Sequence, residues 1–272
     1  MSDPRSIGFF DSGVGGLTVL REVLRRLPSE STIYIGDNAR APYGPRTDDE
    51  VKRFSAECLD ELASRDVKAI VIACNTSSAV ALPELRLRYN MPLLGVVRPG
   101  ATAAALATRN RRVGVIGTAA TIRSHAYFQA IKEEDPFVEV LELATPDLVP
   151  LVEAGHLDGL LVEDVVRASI APITDSDHDP DTLLLGCTHY PLLAGMFREI
   201  VGPDVAVIDT ASATASALAH LLEMHDLNAP SNATPHHVQL TTGDVGAFSV
   251  IAERLFGAEF ARVEPVAVAG AA

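Results

Sequence analysis

Two of the three cysteines occupy matching settings. Cys74 closes the apolar run Ala69-Ile-Val-Ile-Ala, Cys187 closes Thr182-Leu-Leu-Leu-Gly, and small polar residues follow each. A thiol at the mouth of a buried strand lies where α/β folds form their ligand crevices, outside the carboxyl ends of strands. Two such thiols, one on each side of a substrate, form a pair of opposed acid/base groups, which is what inverting a stereocentre requires. Asn75, Thr76, Ser77 and Ser78 after the first thiol, and Thr188 and His189 after the second, supply groups able to hold carboxylates. A helix starting just after either cysteine would lower its pKa and bring a thiolate within reach near neutrality.

Other chemistries fit less well. Free cysteine is usually buried and inert, and Cys58, inside the helical stripe Val51, Phe54, Cys58, Leu62, reads as core. Zinc held by Cys74, Cys187 and His189 lacks a Cys-x-x-Cys or His-x-x-x-His spacing, and His178 and the His236-His237 pair lie in polar, loop-like stretches. A redox disulfide between Cys74 and Cys187 also lacks the Cys-x-x-Cys arrangement. A hydrolase nucleophile built from Cys187 and His189 leaves Cys74 without a role. The turn Asp11-Ser12-Gly13-Val14-Gly15-Gly16 is glycine-rich, but Thr18 stands where a dinucleotide fingerprint needs glycine, and the turn has no Walker lysine. It could still let a substrate carboxylate approach the start of the following helix. Asp11, an acid just beyond a buried strand, has solvation to lose and is a candidate for the site.

The elements that position these residues are read from periodicity. Strands are expected at Ile7–Phe10, Thr32–Gly36, Ala69–Ala73, Leu93–Val97, Val113–Gly117, Val138–Leu143, Thr182–Gly186, Val205–Ile208 and Val238–Leu240; several are continuous apolar runs, as buried parallel strands should be. Between them, Leu17, Leu20, Leu24 and Leu27 keep helical spacing up to Pro28. Strand and helix in alternation predict an α/β fold with mostly parallel sheets. Ile7-Gly-Phe-Phe-Asp-Ser-Gly and Val113-Gly-Val-Ile-Gly-Thr-Ala echo each other, and Gly8 and Gly114, like Cys74 and Cys187, stand a little over a hundred residues apart. The expected architecture is therefore two similar doubly wound lobes related by a pseudo-twofold. Residues 1–97 plus 209–272 would form the first lobe and 98–208 the second. The chain would cross near Arg98-Pro99-Gly100 and after Ile208. The small residues from Pro265 to Ala272 are expected to fray.

Composition bounds the partners. With 272 residues and 47% hydrophobic content the chain can bury a sizeable core, and three cysteines form no disulfide framework, which points to a reducing compartment. Neither a signal peptide nor a membrane-spanning run is legible, so a cytoplasmic location is expected. A formal charge of −14 disfavours general binding to nucleic acid.

Six segments carry a resemblance: Gly8-Phe-Phe-Asp-Ser-Gly-Val-Gly-Gly-Leu, Tyr34-Ile-Gly-Asp-Asn-Ala-Arg-Ala-Pro-Tyr-Gly, Ala73-Cys-Asn-Thr, Gly114-Val-Ile-Gly-Thr-Ala-Ala-Thr-Ile-Arg-Ser-His-Ala-Tyr, Gly186-Cys-Thr-His-Tyr-Pro-Leu-Leu and Thr242-Gly-Asp. In these the chain resembles the glutamate racemases of the cofactor-independent aspartate/glutamate racemase family. The resemblance implies two α/β lobes with the active site between them and interconversion of L- and D-glutamate for peptidoglycan synthesis, without pyridoxal phosphate, other cofactor or metal. It implies Cys74, Cys187, Asp11 and His189 as catalytic groups. Asp11, Ser12, Tyr43, Gly44, Asn75, Thr76, Thr118, Thr121, Thr188 and His189 would hold substrate, and Glu153 would orient His189. Relatives acting on aspartate tend to carry Glu after the second Cys-Thr, so His189 favours glutamate. The position of Arg98 often holds Glu in the family and is expected at the hinge. The resemblance further implies a homodimer and allows a second role, binding and inhibition of DNA gyrase, for which the sequence offers no separate module. Members activated by a cell-wall precursor carry a longer amino-terminal extension, and such activation is not expected with six residues before the first strand. One thiolate would remove the α-proton while the opposite thiol returns one, with Asp11 and His189 tuning the two sulfurs.

Overall fold

The computed structural model describes residues 2–270. Among the described residues ten strands form two sheets: β1 Ile7–Asp11, β2 Thr32–Gly36, β3 Ala69–Ile72, β4 Leu93–Gly95, β5 Arg112–Gly117, β6 Glu139–Ala144, β7 Thr182–Gly186, β8 Ala206–Asp209, β9 His237–Thr241 and β10 Glu264–Pro265. The first sheet has the order β10-β9-β2-β1-β3-β4 and the second β6-β5-β7-β8, with parallel pairing throughout. Leaving aside β9 and β10, the two orders are the same: second strand, first, third, fourth. The echo between Ile7-Gly-Phe-Phe and Val113-Gly-Val-Ile is thus an equivalence of β1 with β5, each the first strand of its half.

The apolar runs behave as their composition demands. Every residue of β1, β3 and β7 is buried, as it must be where helices cover both faces of a parallel sheet. Phe9 and Val71 from the first sheet and Ile116 and Leu185 from the second belong to one continuous apolar cluster with the helices Leu17–Arg26 and Thr210–Met224, so the sheets share a core. The helix Asp48–Ser64 begins with a capping box in which the Thr47 hydroxyl accepts from Glu50 N–H while the Glu50 carboxylate accepts from Thr47 N–H.

Two expectations change. The apolar run from Leu93 ends as a strand at Gly95, because Val97 already opens the helix Val97–Ala107, whose first turn tolerates Pro99 since that position has no intrahelical N–H bond to lose. Arg98 is a helix residue, exposed and paired with Glu133, and the chain passes from the first sheet to the second on this helix. The segment from Pro265 is held, not frayed, as far as Val268: β10 pairs with β9, Val266 N–H donates to Thr241 O at 2.9 Å, and Val268 is buried. Residues 271–272 lie outside the described residues.

Candidate active site

The carboxyl ends of the strands of the two sheets face a cavity of about 240 Å³. Each half contributes the segments that follow its first three strands. Ser12 follows β1, Tyr43 and Gly44 follow β2, and Cys74, Asn75 and Thr76 follow β3; Thr118 follows β5, Glu153 comes after β6, and Cys187, Thr188 and His189 follow β7. Both cysteines leave the third strand of their half, beside the first, which is where the strand order reverses and side chains diverge to open a crevice.

The elements explain each placement. Cys74 caps the helix Asn75–Val80, and its Sγ lies 3.5 Å from Ser77 N–H and donates to Ser12 Oγ at 3.6 Å. The helix start was expected to favour the thiolate. Burial outweighs it: desolvation first, then the charge of Asp11, push the Cys74 thiol up to about 11. Asp11 is itself fully buried behind the wall, where desolvation raises its pKa against the opposing pull of His189 and of N–H donors at Gly13 and Gly16. Gly13 N–H reaches its Oδ2 at 2.9 Å and the Thr188 hydroxyl its Oδ1 at 3.5 Å. The glycine turn is filled by protein: a Cβ at Gly15 would sit 2.5 Å from Thr188 Oγ1 and 2.6 Å from the His189 ring, so only glycine lets the second half come this close.

Around Cys187 the pattern differs. No α-helix starts at the next residue; a turn leads into the 3₁₀ segment Tyr190–Leu193. Cys187 Sγ lies 3.8 Å from His189 Nδ1, and His189 Nε2 lies 3.1 Å from Glu153 Oε1. Burial works against a charged imidazole here, but the sulfur and the carboxylate outweigh it and raise the pKa of His189 to about 10. His189 is thus an imidazolium held between Glu153 and Cys187.

Hydroxyls join the two halves. Thr76 Oγ1 lies 2.8 Å from Thr118 Oγ1 and 3.2 Å from Thr121 Oγ1; Thr118 lies on the wall, whereas Thr121 is fully buried behind it. Gly44 O accepts from Ala120 N–H at 3.1 Å, and the Thr18 hydroxyl donates to Thr188 O at 3.1 Å. Tyr43 lines the cavity but packs its ring beside Phe10 and Phe54 and gives its hydroxyl to Asp37, whose Oδ2 also accepts from Arg40 Nε at 2.7 Å. Asn75 Nδ2 is buried without a partner, while Asn75 Oδ1 accepts from the Tyr127 hydroxyl.

The motifs did not single out Pro146, Val149 and Pro150, which form an apolar flank of the cavity. Val149, Pro150 and Glu153 share one face of the short helix Leu148–Glu153, and that spacing was the available signal. Cys58 is core, as read, with Arg40 Nη2 3.6 Å from its sulfur. Among the described residues no three His, Cys, Asp or Glu side chains are grouped as a metal site would need. No described helix is long and apolar enough to cross a membrane.

Residues 11–218 match the Asp/Glu/Hydantoin racemase family. The chain belongs to that family. It is 47% identical over 248 residues to the glutamate racemase of Exiguobacterium sibiricum, covering 91% of each chain. Among solved structures, the glutamate racemase isoform RacE1 of Bacillus anthracis superposes with a TM-score of 0.92 at 43% identity over 97% of both chains. The glutamate racemase of Francisella tularensis, in complex with D-glutamate, gives 0.90 at 33% identity over 97% of this chain and 98% of that one. Membership in the racemase family makes the chain an enzyme, an isomerase of amino-acid type.

Proposed function

We propose that the protein interconverts L- and D-glutamate by proton transfer between two cysteines. The observation that carries this reading is that Cys74 and Cys187 line one cavity, the first beside Asp11 and the second beside His189, together with the glutamate racemase relatives. Cys74 is buried beside Asp11 with its pKa pushed up to about 11, so at neutral pH it enters as a thiol able to return a proton. Cys187, 3.8 Å from His189 Nδ1, is assigned the removal of the α-proton in that direction. The reverse reaction exchanges the roles, and one proton serves two sulfurs. An α-proton is far less acidic than a thiol, and each unit of mismatch is worth about 1.36 kcal/mol, so the α-carboxylate must be stabilised as charge develops on it. Asn75 Nδ2 and the hydroxyls of Thr76 and Thr118, which line the cavity, are the donors assigned this role. His189 favours glutamate over aspartate, and D-glutamate made here would supply peptidoglycan synthesis.

Solvent exchange tests the scheme. In deuterated buffer, Cys74→Ser and Cys187→Ser should each lower racemisation by roughly a hundredfold or more. Each should still wash deuterium into one enantiomer, and the enantiomer should differ between the two variants. Racemisation at the parent rate by either variant would sink the two-sided scheme, and a covalent thioester without exchange at an α-carbon would point to hydrolysis instead.

A further inference from the structure

The orphaned amide of Asn75 raises a question that the cysteines do not answer: what keeps its donor end available for substrate. Asn75 is 2% exposed and lies on the cavity wall, one residue from Cys74. An amide can turn over in place, and the turned form would present Oδ1 to an incoming carboxylate, oxygen against oxygen. The group that meets Asn75 Oδ1 is the hydroxyl of Tyr127, which comes from the other half of the molecule, on the helix Ala126–Glu134.

Tyr127 is fully buried, and Asn75 Oδ1 is the acceptor its hydroxyl reaches. A buried O–H without an acceptor loses its hydration for nothing in return, so the phenol proton must point at an oxygen. Turning the Asn75 amide would set NH₂ against that O–H and strand the proton. The phenol thus selects the amide orientation that leaves Nδ2 as the unpaired donor. The same ring is packed against the second thiol's strand: a Cβ at Gly186, immediately before Cys187, would lie 2.9 Å from Tyr127 Cε2, and one at Gly100 would lie 3.5 Å from Cε1. One rigid side chain therefore spans from the backbone that carries Cys187 to the amide beside Cys74.

We infer that Tyr127 is a positioning residue for the racemisation site: its hydroxyl locks the Asn75 amide with Nδ2 offered to a substrate carboxylate, and its ring fixes the spacing between the two cysteine segments. The inference rests on the glutamate reading above. Its test is Tyr127→Phe, which keeps the ring and removes the hydroxyl. KM for both L- and D-glutamate should rise about tenfold, because a donor to a charged group is no longer held in place, while kcat falls less and the melting temperature moves little. In an Asn75→Ala background the same change should add nothing to KM, which a merely structural tyrosine would not produce. Should Tyr127→Phe alone fail to fold, the double variant removes the stranded carbonyl as well, and its KM should equal that of Asn75→Ala. An unchanged KM in Tyr127→Phe, or additive effects in the double variant, overturns the inference while parental turnover keeps the racemase reading intact. A parent chain that neither turns over nor binds glutamate by calorimetry overturns both.

Discussion

At His189, burial and two neighbours compete for one proton. Desolvation favours the neutral ring, the Cys187 sulfur at 3.8 Å and the Glu153 carboxylate at 3.1 Å favour the cation, and the cation prevails with a pKa near 10. The imidazolium is therefore present across the neutral range and is lost only as pH climbs past that value. Glu153→Gln keeps an acceptor for Nε2–H but removes the charge, so the proton should leave at lower pH. The high-pH limb of kcat/KM should move down by about one unit, read from a pH–rate profile; a limb that stays put would show that Glu153 contributes no charge to His189. Cys74, Cys187 and His189 were legible in the sequence because each follows an apolar run that had to end at a strand mouth. Glu153 was not legible from spacing alone, since a charge on a short helix is usually solvated and only the fold brings it to the histidine.

Between Asp37 and Arg46 the chain forms a strap over the first sheet that carries Tyr43 and Gly44 to the cavity. Charge buried beneath it anchors it. Arg40, 7% exposed, pairs with Asp37 and Glu57 and lies over the Phe54 ring at 4.3 Å, while Asp37 Oδ1 accepts from the Thr242 hydroxyl at 2.6 Å. Removing one partner of such a group leaves the other charge buried and unpaired. Arg40→Met should therefore cost about 3 kcal/mol or more in urea denaturation, and Arg40→Lys, which keeps the charge but not the planar fork, should recover only part of it. Equal stability of parent and Arg40→Met would mean the strap is held by its apolar contacts alone. The segment was visible as a motif, but its wiring was not, because Glu57, Phe54 and Thr242 reach Arg40 and Asp37 from distant parts of the chain. The same limit hid β10: two residues carry no periodicity, and pairing with β9 rather than local sequence makes them a strand. It also blurred the end of β4, where an apolar run continues from strand into helix.

Two sheets that share a four-strand order meet at their carboxyl ends, and that arrangement, legible as a repeat because Gly8 and Gly114 stand in similar segments, brings two strand-end thiols to one cavity. The whole molecule also sets the field through which substrate arrives. Its formal charge is −14, and glutamate at neutral pH carries two carboxylates and one ammonium, so the exterior opposes the approach of its own proposed substrate. The screening length falls from roughly 30 Å in 0.01 M salt to roughly 8 Å at physiological ionic strength, a change that spans much of a molecule of this size. Added salt should hide the repulsion: kcat/KM should rise, by up to about twofold between these conditions, whereas kcat, set inside a small buried cavity, should stay level. Initial rates at several NaCl concentrations measure both. A fall in kcat/KM would reverse the argument, because it would mean that local positive charge at the site, such as the His189 imidazolium, governs capture and that the acidic exterior is not felt there.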